Sequence, residues 1–234
     1  FTPATNAEDD NNSLSLGTSY TDLAGNNGPD NQTENFEIDT KAPTVSVAIN
    51  SAATEGRLTY GSYGFLNAGD NVSVTATFSE PIFIVDNSSG NPTLTLAVGS
   101  DNRTATYASG GDNSTAMVFR YMIQDGDTDS NGISIRSDAL ALNSSTIRDA
   151  ALNNAILTLI ARSHDDDYIV DTTPPTVSSV AITSATNKQY DFVNATDVVS
   201  VTATFSETFP SAVIVDNASG NPTIPMVVGS DNRP

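Results

Sequence analysis

Val72-Ser73-Val74-Thr75-Ala76-Thr77-Phe78-Ser79-Glu80 decides the fold class of this chain. On an extended backbone Val72, Val74, Ala76 and Phe78 fall on one side, and Ser73, Thr75, Thr77 and Ser79 on the other. Alternation with period two marks a strand with one face in a core and the other in water. The same nine residues return unchanged as Val199–Glu207. Each copy ends on an acid, where the strand itself is expected to end.

Outward from the two copies, other landmarks recur in the same order. Asp39-Thr40 leads to Ala42-Pro43-Thr44-Val45, and Asp171-Thr172 leads to Pro174-Pro175-Thr176-Val177. Val85-Asp86-Asn87 precedes Gly90-Asn91-Pro92-Thr93, as Val215-Asp216-Asn217 precedes Gly220-Asn221-Pro222-Thr223. Gly99-Ser100-Asp101-Asn102-Arg103 returns as Gly229-Ser230-Asp231-Asn232-Arg233. Repetition over a period of roughly 130 residues indicates an array of related units. One complete unit is expected over Lys41–Asp171. Residues 1–40 are read as the C-terminal part of a preceding unit, and residues 172–234 as the N-terminal half of a following one.

Within the complete unit, Met117, Phe119, Tyr121 and Ile123 form a second alternating stripe. Shorter strands are expected at Thr44–Ile49, Ile82–Val85, Thr93–Val98, Ala105–Tyr107, Ile133–Ile135, Leu157–Ile160 and Tyr168–Val170. Clusters of Asn, Asp, Gly, Ser and Pro separate them, as turns require. No segment has a helical period with caps. The fold expected is all-β, an antiparallel sandwich in each repeat, with Gln124–Asp138 as an extended loop.

The formal net charge is −19, from 28 acidic and 9 basic residues. That field opposes nucleic acid and anionic membrane surfaces, but suits a self-repelling surface or one that gathers divalent cations. There are no cysteines, so neither disulfides nor thiolate sites brace the chain. No apolar run reaches the roughly 18 residues of a membrane span. His164 is the only histidine, and no nucleophile motif accompanies it. The chain lacks Trp, and no phosphate loop or zinc motif is present. The expectation is that it is not an enzyme.

The order Asp-Thr-x-x-Pro-Thr-Val, a strand ending Phe78-Ser79-Glu80, then Asp149-Ala150-Ala151-Leu152-Asn153 resembles the bacterial immunoglobulin-like repeats of large, RTX-type surface adhesins. Leu152 stands where that motif has Gly. Asp22-Leu23-Ala24-Gly25-Asn26, in the N-terminal segment, is a second form of the same motif. The resemblance implies tandem immunoglobulin-like β-sandwiches outside the cell, with calcium at the domain junctions and neighbouring repeats of the same polypeptide as partners.

In such a sandwich the incoming chain, the end of the second strand and the F–G turn share one pole. Asp39, Glu80, Asp149 and Asn153 are therefore expected to meet, as ligands for a hard cation that takes six to eight oxygens. Asp171 and Glu207 repeat the pattern at the next junction. The competing reading is that these are ordinary turn residues and a solvated strand end. A second calcium candidate starts at Asp127. Asp127, Asp129, Asn131, Gly132 and Asp138 give D-x-D-x-N-G-x5-D, close to the EF-hand loop. It departs from that pattern in the shorter Asp138 and in having no flanking helices, and its rival is a solvated acidic turn.

The function expected is a structural extender, or stalk, of an extracellular adhesin. One alternative is a self-assembling filament or surface-layer subunit in which neighbouring copies, joined head to tail, complete the half domains at Phe1–Asp39 and Thr173–Pro234. Another is a ligand-binding module built on Tyr60, Tyr63 and Phe65.

Overall fold

A computed structural model describes residues 1–53, 59–60, 63–85, 90–185, 197–207, 226–228 and 231–233. The landmarks at Asp86-Asn87 and at Val215–Thr223 lie outside these residues. Two units are present, Phe1–Thr173 and Pro174–Pro234.

The first unit begins with a nested ribbon. Strand β1 (Glu8–Asn12) pairs antiparallel with β4 (Phe36–Asp39), and between them β2 (Ser15–Leu16) pairs with β3 (Asn31–Gln32). Then follow β5 (Val45–Ala53), β6 (Thr59–Tyr60), β7 (Tyr63–Leu66), β8 (Asn71–Val85), β9 (Thr93–Val98), β10 (Asp101–Gly110) and β11 (Asp112–Met122). Four short strands complete the unit: β12 (Thr128–Asp129), β13 (Leu140–Ala141), β14 (Thr146–Arg148) and β15 (Ile169–Asp171). One sheet has the order β13-β9-β10-β11-β8-β14, with β5 also on β8; a second has the order β12-β15-β7-β6. All pairs are antiparallel except β15 with β7. Among the described residues there is no α-helix, only a 3₁₀ turn at Asp166–Tyr168.

Both alternating stripes are buried as their patterns require. Val72, Val74, Ala76 and Phe78 of β8 join Met117, Phe119, Tyr121 and Ile123 in one core with Leu66, Leu94, Leu96, Ile133, Ile135 and Val170. The architecture is that of an all-β, sandwich-like domain.

Strand β8 does not end at Glu80. It runs on through Pro81 to Val85, joining two segments that the sequence pattern separates. The reason is a change of partner. The β5 ladder ends at Val45↔Phe78, and the β14 ladder runs from Arg148↔Phe83 to Thr146↔Val85. On the other side, the register with β11 jumps from Ala116↔Thr77 to Ser114↔Ile82. Ser79–Pro81 is thus a bulge outside these ladders, where a proline without an N–H costs no rung. Of the other expected strands, Ile133–Ile135 makes only isolated bridges and Leu157–Ile160 none.

The second unit contains β16 (Val177–Ala185), β17 (Val199–Phe205), β18 (Met226–Val228) and β19 (Asp231–Arg233). Its registers copy those of the first. Val177 faces Phe205 and Ile182 faces Val201, as Val45 faces Phe78 and Ile49 faces Val74. Val228 faces Asp231 as Val98 faces Asp101. A reciprocal pair of bonds recurs as well. The Thr44 N–H donates to Ser79 Oγ at 3.0 Å and the Ser79 N–H to the Thr44 carbonyl at 2.9 Å. Thr176 and Ser206 repeat this at 2.9 and 2.8 Å.

Candidate functional site: an acidic cluster at the kink of β8

The change of partner along β8 is what gathers the acids. Strand β5 starts, and β14 ends, beside the same kink. Asp39 lies just before the first, Asp149 just after the second, and Glu80 in the kink itself. One carboxylate oxygen from each of the three lies within 4.8 Å of the others. Oxygens bound to one calcium at 2.3–2.6 Å lie at most about 5 Å apart. The spacing therefore suits a single cation of that size. Among the described residues, no other trio of acids or histidines comes so close.

The turn that carries Asp149 is held by Asn153. Its backbone N–H donates to Asp149 Oδ1 at 2.8 Å, and its Nδ2 to Asp149 Oδ2 at 2.9 Å. Nδ2 also reaches the Asp39 carbonyl at 3.2 Å, tying the turn to the end of β4. Asp22 and Asn26 form the same turn in the ribbon, with the Asn26 N–H and Nδ2 each 2.9 Å from the Asp22 carboxylate. Gly25 has φ +87° there, and Leu152 takes the corresponding place at φ +71°. The turn keeps its shape and the leucine is forced into the left-handed region.

The electrostatics of the cluster favour an added positive charge. Glu80 is part-buried, and burial raises its pKa. The carboxylates of Asp39, Asp149 and Glu8 raise it further, against the weaker opposing effect of Lys41. Lys41 spends its ammonium on Glu8, at 2.8 Å, and its backbone N–H on Asp39 Oδ1, at 2.9 Å. Asp149 is buried.

The EF-hand-like loop is built differently from that expectation. Asp127 is buried, and its carboxylate accepts from Arg103 Nε at 2.6 Å, the Tyr121 hydroxyl at 2.5 Å and the Gln124 N–H at 2.9 Å. Burial opposes its ionisation, but these three donors outweigh it and hold the carboxyl below its ordinary range. Burial and the bond to Asp127 push Tyr121 up to about 12. Asp129 accepts from the Gly99 N–H at 2.7 Å and, through its other oxygen, from the Asn131 N–H at 3.2 Å. Asn131 and Asp138 are exposed. Thr128 and Asp129, within the loop, form the short strand β12 along β15. Gly132, at φ +88°, leaves room for the Asp165 carbonyl, which a β-carbon would strike.

Sequence reasoning missed Arg103 as the partner of Asp127. Its recurrence in both Gly-Ser-Asp-Asn-Arg motifs is the signal that could have found it.

Asp171 ends β15 and accepts from the Thr173 N–H at 2.9 Å, as Asp39 does from Lys41. Glu207 follows β17 in the second unit and is part-buried. Of the aromatic trio, Phe65 is 38% exposed, and the side chains of Tyr60 and Tyr63 lie outside the described residues.

Comparison with protein-family profiles, curated proteins and solved structures finds no match. No described helix is long and apolar enough to cross a membrane.

Proposed function

We propose that this chain belongs to an extracellular array of immunoglobulin-like repeats, serving as a stalk or extender in a bacterial surface adhesin. Calcium at Asp39, Glu80 and Asp149 stiffens the passage from one repeat to the next. In this reading residues 1–40 close one repeat, 41–171 form the next, and 172–234 open a third.

The observation that carries the reading is the origin of the three acids. They come from separate strands and meet where the chain leaves the ribbon and enters β5. The recurrence of both sides of this passage supports it. Asp171 occupies the place of Asp39, with the same bond to the second following N–H, and Glu207 closes the duplicated nine-residue stretch as Glu80 does in its copy. An ion there neutralises facing carboxylates and links the ribbon to the body of the repeat. Without it, their repulsion loosens the link.

Thermal melting of the chain in calcium and in chelator tests the proposal. Calcium is expected to raise the midpoint of the first unit, and Glu80→Gln to abolish that rise. Equal midpoints in calcium and chelator would sink the metal reading. Magnesium as a third arm separates a calcium-sized site from a general response to divalent charge, since magnesium prefers shorter bonds of about 2.0–2.1 Å.

A further inference from the structure

The chain leaves the first unit through a very short strand. β15 spans three residues, and its ladders with β12 and β7 have two register pairs each. In the order β12-β15-β7-β6 it lies between two partners, so a pull along the outgoing chain shears both ladders at once. Ladders this short resist little unless the load passes further into the unit.

Thr172, the residue after β15, provides that route. Its hydroxyl accepts from the Gly126 N–H and donates to the Asp127 carbonyl, each at 3.0 Å. It thus grips the backbone of the loop just before β12. The same device occurs where the chain leaves the ribbon. Thr40, after β4, accepts from the Ala7 N–H at 2.9 Å and donates to the Ala4 carbonyl at 2.7 Å. Its recurrence at both exits ties the threonine to the passage of the chain and not to one local turn.

The loop that Thr172 grips is itself fastened to the large sheet. The buried Asp127 carboxylate accepts from Arg103 on β10, Tyr121 on β11 and the Gln124 N–H just beyond β11. Asp129, also buried, accepts from the Gly99 N–H in the turn between β9 and β10. That turn lies so close to β12 that a β-carbon on Gly99 would strike the Thr128 carbonyl. Hydrogen bonds to an ionised carboxylate are roughly twice as strong as neutral ones. Burial also keeps water from replacing them as they stretch.

We infer that Thr172, Asp127 and Asp129 form a load-bearing latch where the chain leaves the repeat. Tension on the outgoing chain passes from the Thr172 hydroxyl to the loop. The two buried carboxylates hand it on to β10, β11 and the β9–β10 turn. Arg103 supplies the positive charge within the loop, so the latch needs no metal. The inference rests on the stalk reading for the direction of load, and not on calcium at Asp39, Glu80 and Asp149.

Single-molecule pulling of the full chain in chelator tests the latch. The chain has no cysteine, so introduced thiols fix where the handles attach. Handles at the two chain ends load Thr172. Handles at the N-terminal end and at Asn113→Cys, near the exposed tip of the β10–β11 hairpin, bypass it. Under a given end-to-end load, Thr172→Val is expected to raise the unfolding rate of the first unit about tenfold, the effect of one or two net hydrogen bonds. Thr172→Ser, which keeps the hydroxyl, is expected to restore the wild-type rate. Tyr121→Phe, which removes one bond to Asp127, is the second variant should Thr172→Val fail to fold. Pulled through residue 113, Thr172→Val and wild type are expected to unfold alike. Equal rates under end-to-end load overturn the proposal. So does an equal rise in both geometries, because Thr172 would then stabilise the fold without carrying load. In chelator neither result touches the calcium dependence of melting, so the two readings fail separately.

Discussion

At the scale of single residues, Leu152 gives the most direct test of the turn that presents Asp149. A β-carbon at positive φ costs about 1–2 kcal/mol, which glycine avoids at the expense of about 0.5–1 kcal/mol of extra chain entropy. Leu152 is 65% exposed, so its side chain has little burial to lose. Leu152→Gly is expected to stabilise the unit by about 0.5–1 kcal/mol, seen as a higher urea midpoint at unchanged m. Glu80 yields a second prediction. Its folded pKa is raised, first by burial and then by neighbouring carboxylates. The folded state therefore binds a proton that the unfolded chain releases, and this contribution to stability is lost as pH rises through the folded pKa. In chelator, wild-type stability is expected to fall across that interval, above the ordinary glutamate range, more than that of Glu80→Gln. Urea titrations over a pH series give the comparison, and parallel curves would refute it.

Among the elements, the Asp127 loop shows how far sequence alone reaches. The core faces of β8 and β11 are legible because a period of two has one structural meaning and every inward residue is apolar. The meeting of Asp39, Glu80 and Asp149 is legible too, since it follows from strand order once the strands are placed. The role of Asp127 is not. Acids at alternate positions beside a glycine suit a cation or a protein donor equally, and the donor here, Arg103, lies 24 residues away on β10. The continuation of β8 past Glu80 is hidden for a similar reason. Pro81 reads as a strand terminator, and only the switch of partner from β5 to β14 makes it tolerable. Arg103→Met tests the loop. It strips a buried carboxylate of its charged partner while the Tyr121 and Gln124 bonds remain. A loss of about 2–3 kcal/mol is expected, below the range for an ion pair broken with nothing left to compensate, because Arg103 is itself a third exposed. Asp127→Asn with Arg103→Met should cost less than the sum of the two single changes, and additivity in that cycle would argue against the pair.

For the whole molecule, the repeated registers separate what a strand pair contributes alone from what its surroundings add. Strands β5–β8 and β16–β17 share much of their apolar sequence, their pairing and the Thr–Ser bonds at their ends, yet among the described residues only the first pair lies in a core. Amide exchange from a ladder follows the free energy of opening it, which rises with the apolar area buried on it. Hydrogen exchange measured on the dilute chain is therefore expected to leave amides of β8 protected orders of magnitude longer than those of β17, although the peptides Val72–Ser79 and Val199–Ser206 are identical in sequence. Intrinsic exchange rates then cancel, and the difference reads packing alone. Equal protection of the two copies would mean that the second unit already has a covered core of its own.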